Sequence, residues 1–126
     1  MSWVLLTPDL VEAIHDAVLN PGELAGRARD KSLEGALARV EHRLAYGMIA
    51  DVCDLAAAYA QAIARGHCFN DARKRTAFRA MNAVLALNGT DIVWTVDDIG
   101  PLIVRLAQGA ADEGDLAAAL RRWANA

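Results

Sequence analysis

The stretch from Ile49 to Arg65 constrains this chain most. Ile49, Val52, Cys53, Leu55, Ala56, Ala57, Ala58, Tyr59, Ala60, Ala62, Ile63 and Ala64 place apolar side chains almost all round a helix. A helix apolar on every side belongs in the middle of a domain, because a surface helix keeps a polar face for water. Gly66 then reads as its terminator. The sequence therefore predicts a central buried helix with the other elements packed around it.

The remaining segments supply helices to do so. Thr7-Pro8 starts the first, with Thr7 as cap and Pro8 at the first helical position. Leu10, Val11, Ile14 and Val18 keep helical spacing until Asn20-Pro21-Gly22 ends the run. Residues 20–31 are turn-rich and polar with no period, and form the one long irregular stretch. Ser32 caps a second helix with Leu33, Leu37, Val40 and Leu44 on one face, weakened near its end by Gly47. A fourth helix runs from Asn70 or Asp71 to about Asn88, ended by Gly89. Thr90 to Trp94 looks extended but is too short for a sheet. Two last helices cover roughly 95–108 and 112–124, the first interrupted or offset near Gly100-Pro101. Few aromatics (6%) and abundant alanine favour closely packed helices over a β-sandwich. The expectation is one all-α domain over residues 1–126, with about six helices.

Charge and leader signals narrow the function. No apolar run reaches the roughly 18 residues that span a bilayer. Met1 to Leu6 carries no basic leader, and Pro8-Asp9 cuts its apolar stretch short, so a soluble, cytoplasmic protein without membrane contact is expected. The net charge of −3 argues against a direct electrostatic grip on nucleic acid, and disfavours a DNA-binding helix-turn-helix. Locally, however, Arg65, Arg73, Lys74, Arg75 and Arg79 fall within fifteen residues, which suits one compact anion. Cys53 and Cys68 form no metal-ligand spacing; Cys53 reads as a buried small residue, and a disulfide is not expected.

The chemistry-bearing residues lie in His67-Cys68-Phe69-Asn70-Asp71-Ala72-Arg73-Lys74-Arg75. A helix starting at Asn70 or Asp71 leaves its first amides without partners and presents the positive end of its dipole to an anion. Lys74 and Arg75 add two charges there, His67 is placed to take a proton from a hydroxyl, and Asp71 to hold a Mg²⁺ bridging phosphates. At about 100° per residue Asp71, Lys74, Arg75, Phe78 and Asn82 share a face. These are the parts that phosphoryl or nucleotidyl transfer needs, since catalysis there is mainly positioning and charge stabilisation. Cys68 beside His67 is not read as a nucleophile, because adjacent residues rarely aim their side chains at one another. His15 and His42, among charged neighbours, read as surface residues.

This string resembles the motif of the Fic/Doc family, H-x-F-x-[DE]-G-N-[GK]-R, and more closely its Doc-type variant, H-x-F-N-D-A-N-K-R-T. Ala64-Arg65-Gly66, the chain length, the helix order and Leu87-Asn88-Gly89 extend the likeness over nearly the whole chain. The resemblance implies that His67 is the base activating a hydroxyl on a protein target, and that Asp71 holds Mg²⁺ on the nucleotide. It implies that Phe69 anchors the loop, and that Asn70, Ala72, Lys74 and Arg75 surround the phosphates. Lys74, where many Fic enzymes have glycine, tilts the expectation from AMP transfer to a Doc-type Ser/Thr kinase using ATP. Elongation factor Tu is then the implied target class, with arrest of translation, and an antitoxin whose helix fills a surface groove is the implied partner. The 20–31 segment is either only a connection or, as the resemblance implies, carries a flap, with Gly22 to Ala28 as the candidate, that docks the target's main chain like an added strand.

Two positions depart. Arg73 replaces the family's asparagine, and its side chain starts opposite the Lys74/Arg75 face but is long enough to curl back to the anion site. There it either adds a phosphate contact or excludes nucleotide. The second motif arginine is absent at Phe78, with Arg79 as a partial substitute. Arg65 is either a helix C-terminal cation or a nucleotide contact. Three readings follow: a Doc-like kinase, an AMP or NMP transferase, and a catalytically disabled interaction module.

Overall fold

The computed structural model describes residues 3–29, 31–92 and 96–124. The described residues fold into six helices: α1 (Pro8–Val18), α2 (Leu33–Ala45), α3 (Val52–Gly66), α4 (Arg73–Leu87), α5 (Val96–Ala107) and α6 (Glu113–Ala124). The all-α expectation holds, and no described helix is long and apolar enough to cross a membrane.

α3 is the axis of the fold, packed by α2, α4, α5 and α6, with α1 lying against α4 and α2. Cys53, Leu55, Ala56 to Ala60, Ile63 and Ala64 are all buried on it. Its alanines let the neighbouring helices approach closely, and Leu33, Met81, Val84, Ile99, Leu106, Leu116 and Leu120 fill the space around them. Tyr59 sits fully inside, and its hydroxyl accepts from the Leu6 amide at 3.2 Å. Trp3 and Trp123 pack partly buried against this core, whereas Trp94 lies outside the described residues.

Thr7 and Ser32 cap α1 and α2 through side-chain oxygens, as expected. α3 starts at Val52 rather than Ile49, because Asp51 caps it by accepting from the Asp54 amide at 2.9 Å. Arg121 reaches across from α6 to Asp51 and Asp54, and holds the Asp51 carboxyl below its usual range. Gly47 does not weaken α2 from within; it lies beyond the Tyr46 C-cap with φ +72°, where it turns the chain. α5 runs unbroken through Gly100-Pro101. Pro101 falls in its second turn, where the missing N–H removes a single bond near the helix start. Of the extended Thr90–Trp94 expectation, only Thr90, Asp91 and Ile92 fall among the described residues, and they form no strand. Asn88 ends α4 and clips the N-terminal segment to it, with Val4 N donating to Oδ1 at 2.8 Å and Nδ2 donating to Val4 O at 3.0 Å.

Candidate active site

The motif residues occupy the loop from α3 to α4. Its two ends are both non-glycine residues in the left-handed region: His67 at φ 53° closes α3, and Ala72 at φ 61° opens α4. Each costs of order 1–3 kcal/mol, held by the packing between them. His67, not Gly66, is therefore the residue that ends α3. Cys68 points inward, its thiol near the carbonyls of Ser32 and Gly66, and burial pushes the thiol up, away from the reactive thiolate. Phe69 is buried as expected, and the loop turns about it.

α4 begins at Arg73, later than the sequence suggested. Neither Asn70 nor Asp71 caps it; Ala72 occupies the N-cap position and offers no side-chain acceptor. Asp71 is drawn elsewhere: its Oδ2 accepts from the Leu24 amide at 2.7 Å, and its carbonyl contacts His15 Nε2 at 2.8 Å. The first-turn amides of α4 lack intrahelical acceptors by helix geometry and receive no side chain, which leaves that end suited to an anion. Buried Thr76 completes the turn by donating to the Ala72 carbonyl at 2.8 Å.

A pocket of 320 Å³ opens there, lined by Asn70, Asp71, Ala72, Arg73, Lys74 and Arg75, with Glu23 from the 20–31 segment. Arg73 does curl back, and its guanidinium meets His67 Nδ1. A guanidinium only donates, so Nδ1 is the acceptor and a neutral His67 ring carries its proton on Nε2. Arg75 is engaged by the Val18 carbonyl and by Glu23, and this pairing lowers the Glu23 carboxyl below its usual range. Lys74 is exposed at the pocket wall. Arg79 is not brought into this pocket; it lines an adjoining groove of 540 Å³ with Lys74, Arg75, Val18, Phe78 and Ile103. Arg65 faces away, donating to the carbonyls of Leu106 and Ala111, so it ties α3 to the α5–α6 turn and is no nucleotide contact.

The stretch from Leu24 to Ala28 lies over the loop. Arg27 pairs with Phe69 in a single antiparallel bridge, the Ala28 amide donates to the Cys68 carbonyl at 2.6 Å, and the Arg27 side chain is held by Glu12 and Glu34. The profile of the Fic/DOC family matches residues 5–85. The chain is also 36% identical over 118 residues, 93% of each sequence, to the protein kinase doc of Escherichia phage P1. The chain belongs to the Fic/DOC family.

In this Fic/DOC chain three further residues, His15, Glu23 and Arg27, take part in the site. His15 is not a surface residue but fully buried, stacked on Phe69 with ring centroids 4.0 Å apart and planes 10° off parallel. It continues the buried stripe one turn after Val11, a spacing that its charged neighbours obscured. Glu23 and Arg27 sit in a segment without period, so nothing local announced their partners. His42 is exposed as expected. Among the described residues no three His, Cys, Asp or Glu side chains gather as a metal site. Asp71 and Glu23 are the carboxylates that line the pocket, and Glu23 is already paired with Arg75; this fits Mg²⁺, an ion bound by one or two carboxylates with the rest of its shell from phosphates and water.

Proposed function

We propose that this protein is a Doc-like kinase that transfers the γ-phosphoryl of ATP to a Ser or Thr hydroxyl of a protein target. The observation that carries the reading is the likeness, over nearly the full chain, to a relative named as a protein kinase, with Asp71, Arg73 and Lys74 around one anion-suited pocket and His67 in contact with Arg73. The phosphates take the α4 amides, Lys74 and Arg73. Arg73 prefers an anionic oxygen to a neutral ring nitrogen, since the phosphate carries the opposite charge and can accept two parallel N–H bonds from the guanidinium. Its transfer to phosphate frees the Nδ1 lone pair of His67. The target hydroxyl then gives its proton to Nδ1 while its oxygen forms the new P–O bond, and the β–γ bridging bond breaks to leave ADP. Asp71 would hold Mg²⁺, which would supply neutralisation of phosphate charge there. Arg75, engaged with Glu23, serves chiefly to hold the 20–31 segment against the site.

The target class is the translation factor elongation factor Tu, presented along the Gly22–Ala28 flap, and modification arrests translation in the cytoplasm. A cognate antitoxin helix fits the 540 Å³ groove, whose wall includes Val18, Leu19, Phe78, Ile103 and Val104. Mass spectrometry of elongation factor Tu after incubation with MgATP tests this: a phosphate on Ser or Thr is expected, absent with His67→Ala. AMP on the target instead would make the protein a nucleotidyl transferase.

A second reading has one observation in its favour. The Arg73 contact occupies the very nitrogen that would act as base. If nucleotide never displaces it, the chain is a Fic-fold interaction module without activity. Calorimetry with MgATP separates the two, since this reading predicts no binding until Arg73→Asn.

A further inference from the structure

His15 lies on α1, fully buried, and holds the motif loop at two points. Its ring stacks on Phe69, and its Nε2 lies 2.8 Å from the Asp71 carbonyl. A carbonyl oxygen only accepts, so Nε2 carries the proton and Nδ1 carries a lone pair. Nδ1 is buried without a hydrogen-bond partner, and Asp16 Oδ1, 3.8 Å away, is itself an acceptor. A buried polar atom left in this state costs about 1–3 kcal/mol. Phenylalanine would give the same stack without that cost. Packing alone therefore does not account for histidine here.

What histidine adds is the bond to Asp71. Asp71 Oδ2 in turn receives the Leu24 amide at 2.7 Å, and Asp71 lines the phosphate pocket. One line of bonds thus runs from α1 through the Asp71 backbone and side chain to the flap. We propose that His15 is a positioning residue: its Nε2–H fixes the Asp71 main chain so that the carboxylate faces both Leu24 and the pocket. Its consequence for nucleotide rests on the phosphate-transfer reading; its consequence for Leu24 does not.

The test compares His15→Phe, which keeps the stack and loses the donor, with His15→Gln, whose amide nitrogen can donate to the same carbonyl. Three measurements are made on the full chain: thermal melting, hydrogen exchange of the Leu24 amide, and affinity for MgADP by calorimetry. In His15→Phe the melting temperature stays level or rises, Leu24 exchanges faster by about fivefold or more, and MgADP affinity falls by about fivefold, as loss of one ~1 kcal/mol bond gives. His15→Gln recovers Leu24 protection and affinity. Unchanged Leu24 protection in His15→Phe overturns the proposal. So does a His15→Phe protein that fails to fold, since the stack would then be insufficient. A wild type that binds no MgADP contradicts the phosphate-transfer reading, while the Leu24 comparison still decides the role of His15.

Discussion

The guanidinium of Arg73 donates to Nδ1 of His67, closing the motif loop on itself across its two ends. Left-handed backbone at His67 and Ala72 makes this possible, because it folds six residues tightly enough for the first turn of α4 to meet the last of α3. The same arginine that departs from the family pattern thereby sets the resting proton position on the candidate base.

Arg73→Asn is expected to split the kinetic constants. Losing a phosphate contact raises KM for ATP about tenfold, consistent with a charged hydrogen bond of ~1.5 kcal/mol, while freeing Nδ1 raises kcat. Steady-state kinetics at saturating target measure both. A fall in kcat would mean that Arg73 stabilises the transition state and does not restrain the base.

Cys68→Ala is expected to leave transfer within about twofold of wild type, since the thiol is buried and its ionisation is pushed up by burial. Native-state alkylation of Cys68 is correspondingly slow. Loss of activity with unchanged folding would restore the thiol to the mechanism.

The central helix sets the tolerance of the core. Ala60, fully buried on α3, has no room for extra methylene groups, so Ala60→Leu is expected to cost about 1–3 kcal/mol in urea unfolding. A variant as stable as wild type would contradict the close helix packing.

Asp51 links stability to pH. Its carboxyl is held below its usual range by Arg121, so its contribution is present above the ordinary aspartate range and disappears as pH falls through the lowered value. Asp51→Asn keeps the cap but loses the charge. The stability gap between the Asp51→Asn variant and wild type is therefore expected near neutral pH and to close in acid, as denaturation at both conditions reads out. A gap that widens in acid would reverse the sign.

These residues also show what a sequence can disclose. The apolar girdle of residues 49–65 announced α3, because burial on every side leaves no polar face to misread. The caps Thr7 and Ser32 are local chemistry and were equally legible. The start of α4 was not: Asp71 is a good cap by type, but Leu24, forty-seven positions away, claims its carboxylate instead. His15 was hidden for the same reason, since its partners Phe69 and Asp71 come from a distant loop. The motif marked which residues gather at the loop, and long-range pairing decided which of them, such as Arg75 with Glu23, are already engaged.

Transfer of the terminal phosphoryl by way of His67 is the step on which the functional reading stands. Wild type and His67→Ala are incubated with elongation factor Tu and Mg²⁺, in parallel with ATP labelled at the γ- or the α-phosphate. Label on the target is expected from the γ position alone, and with wild type alone. Label from the α position, or γ-label undiminished in His67→Ala, would contradict it.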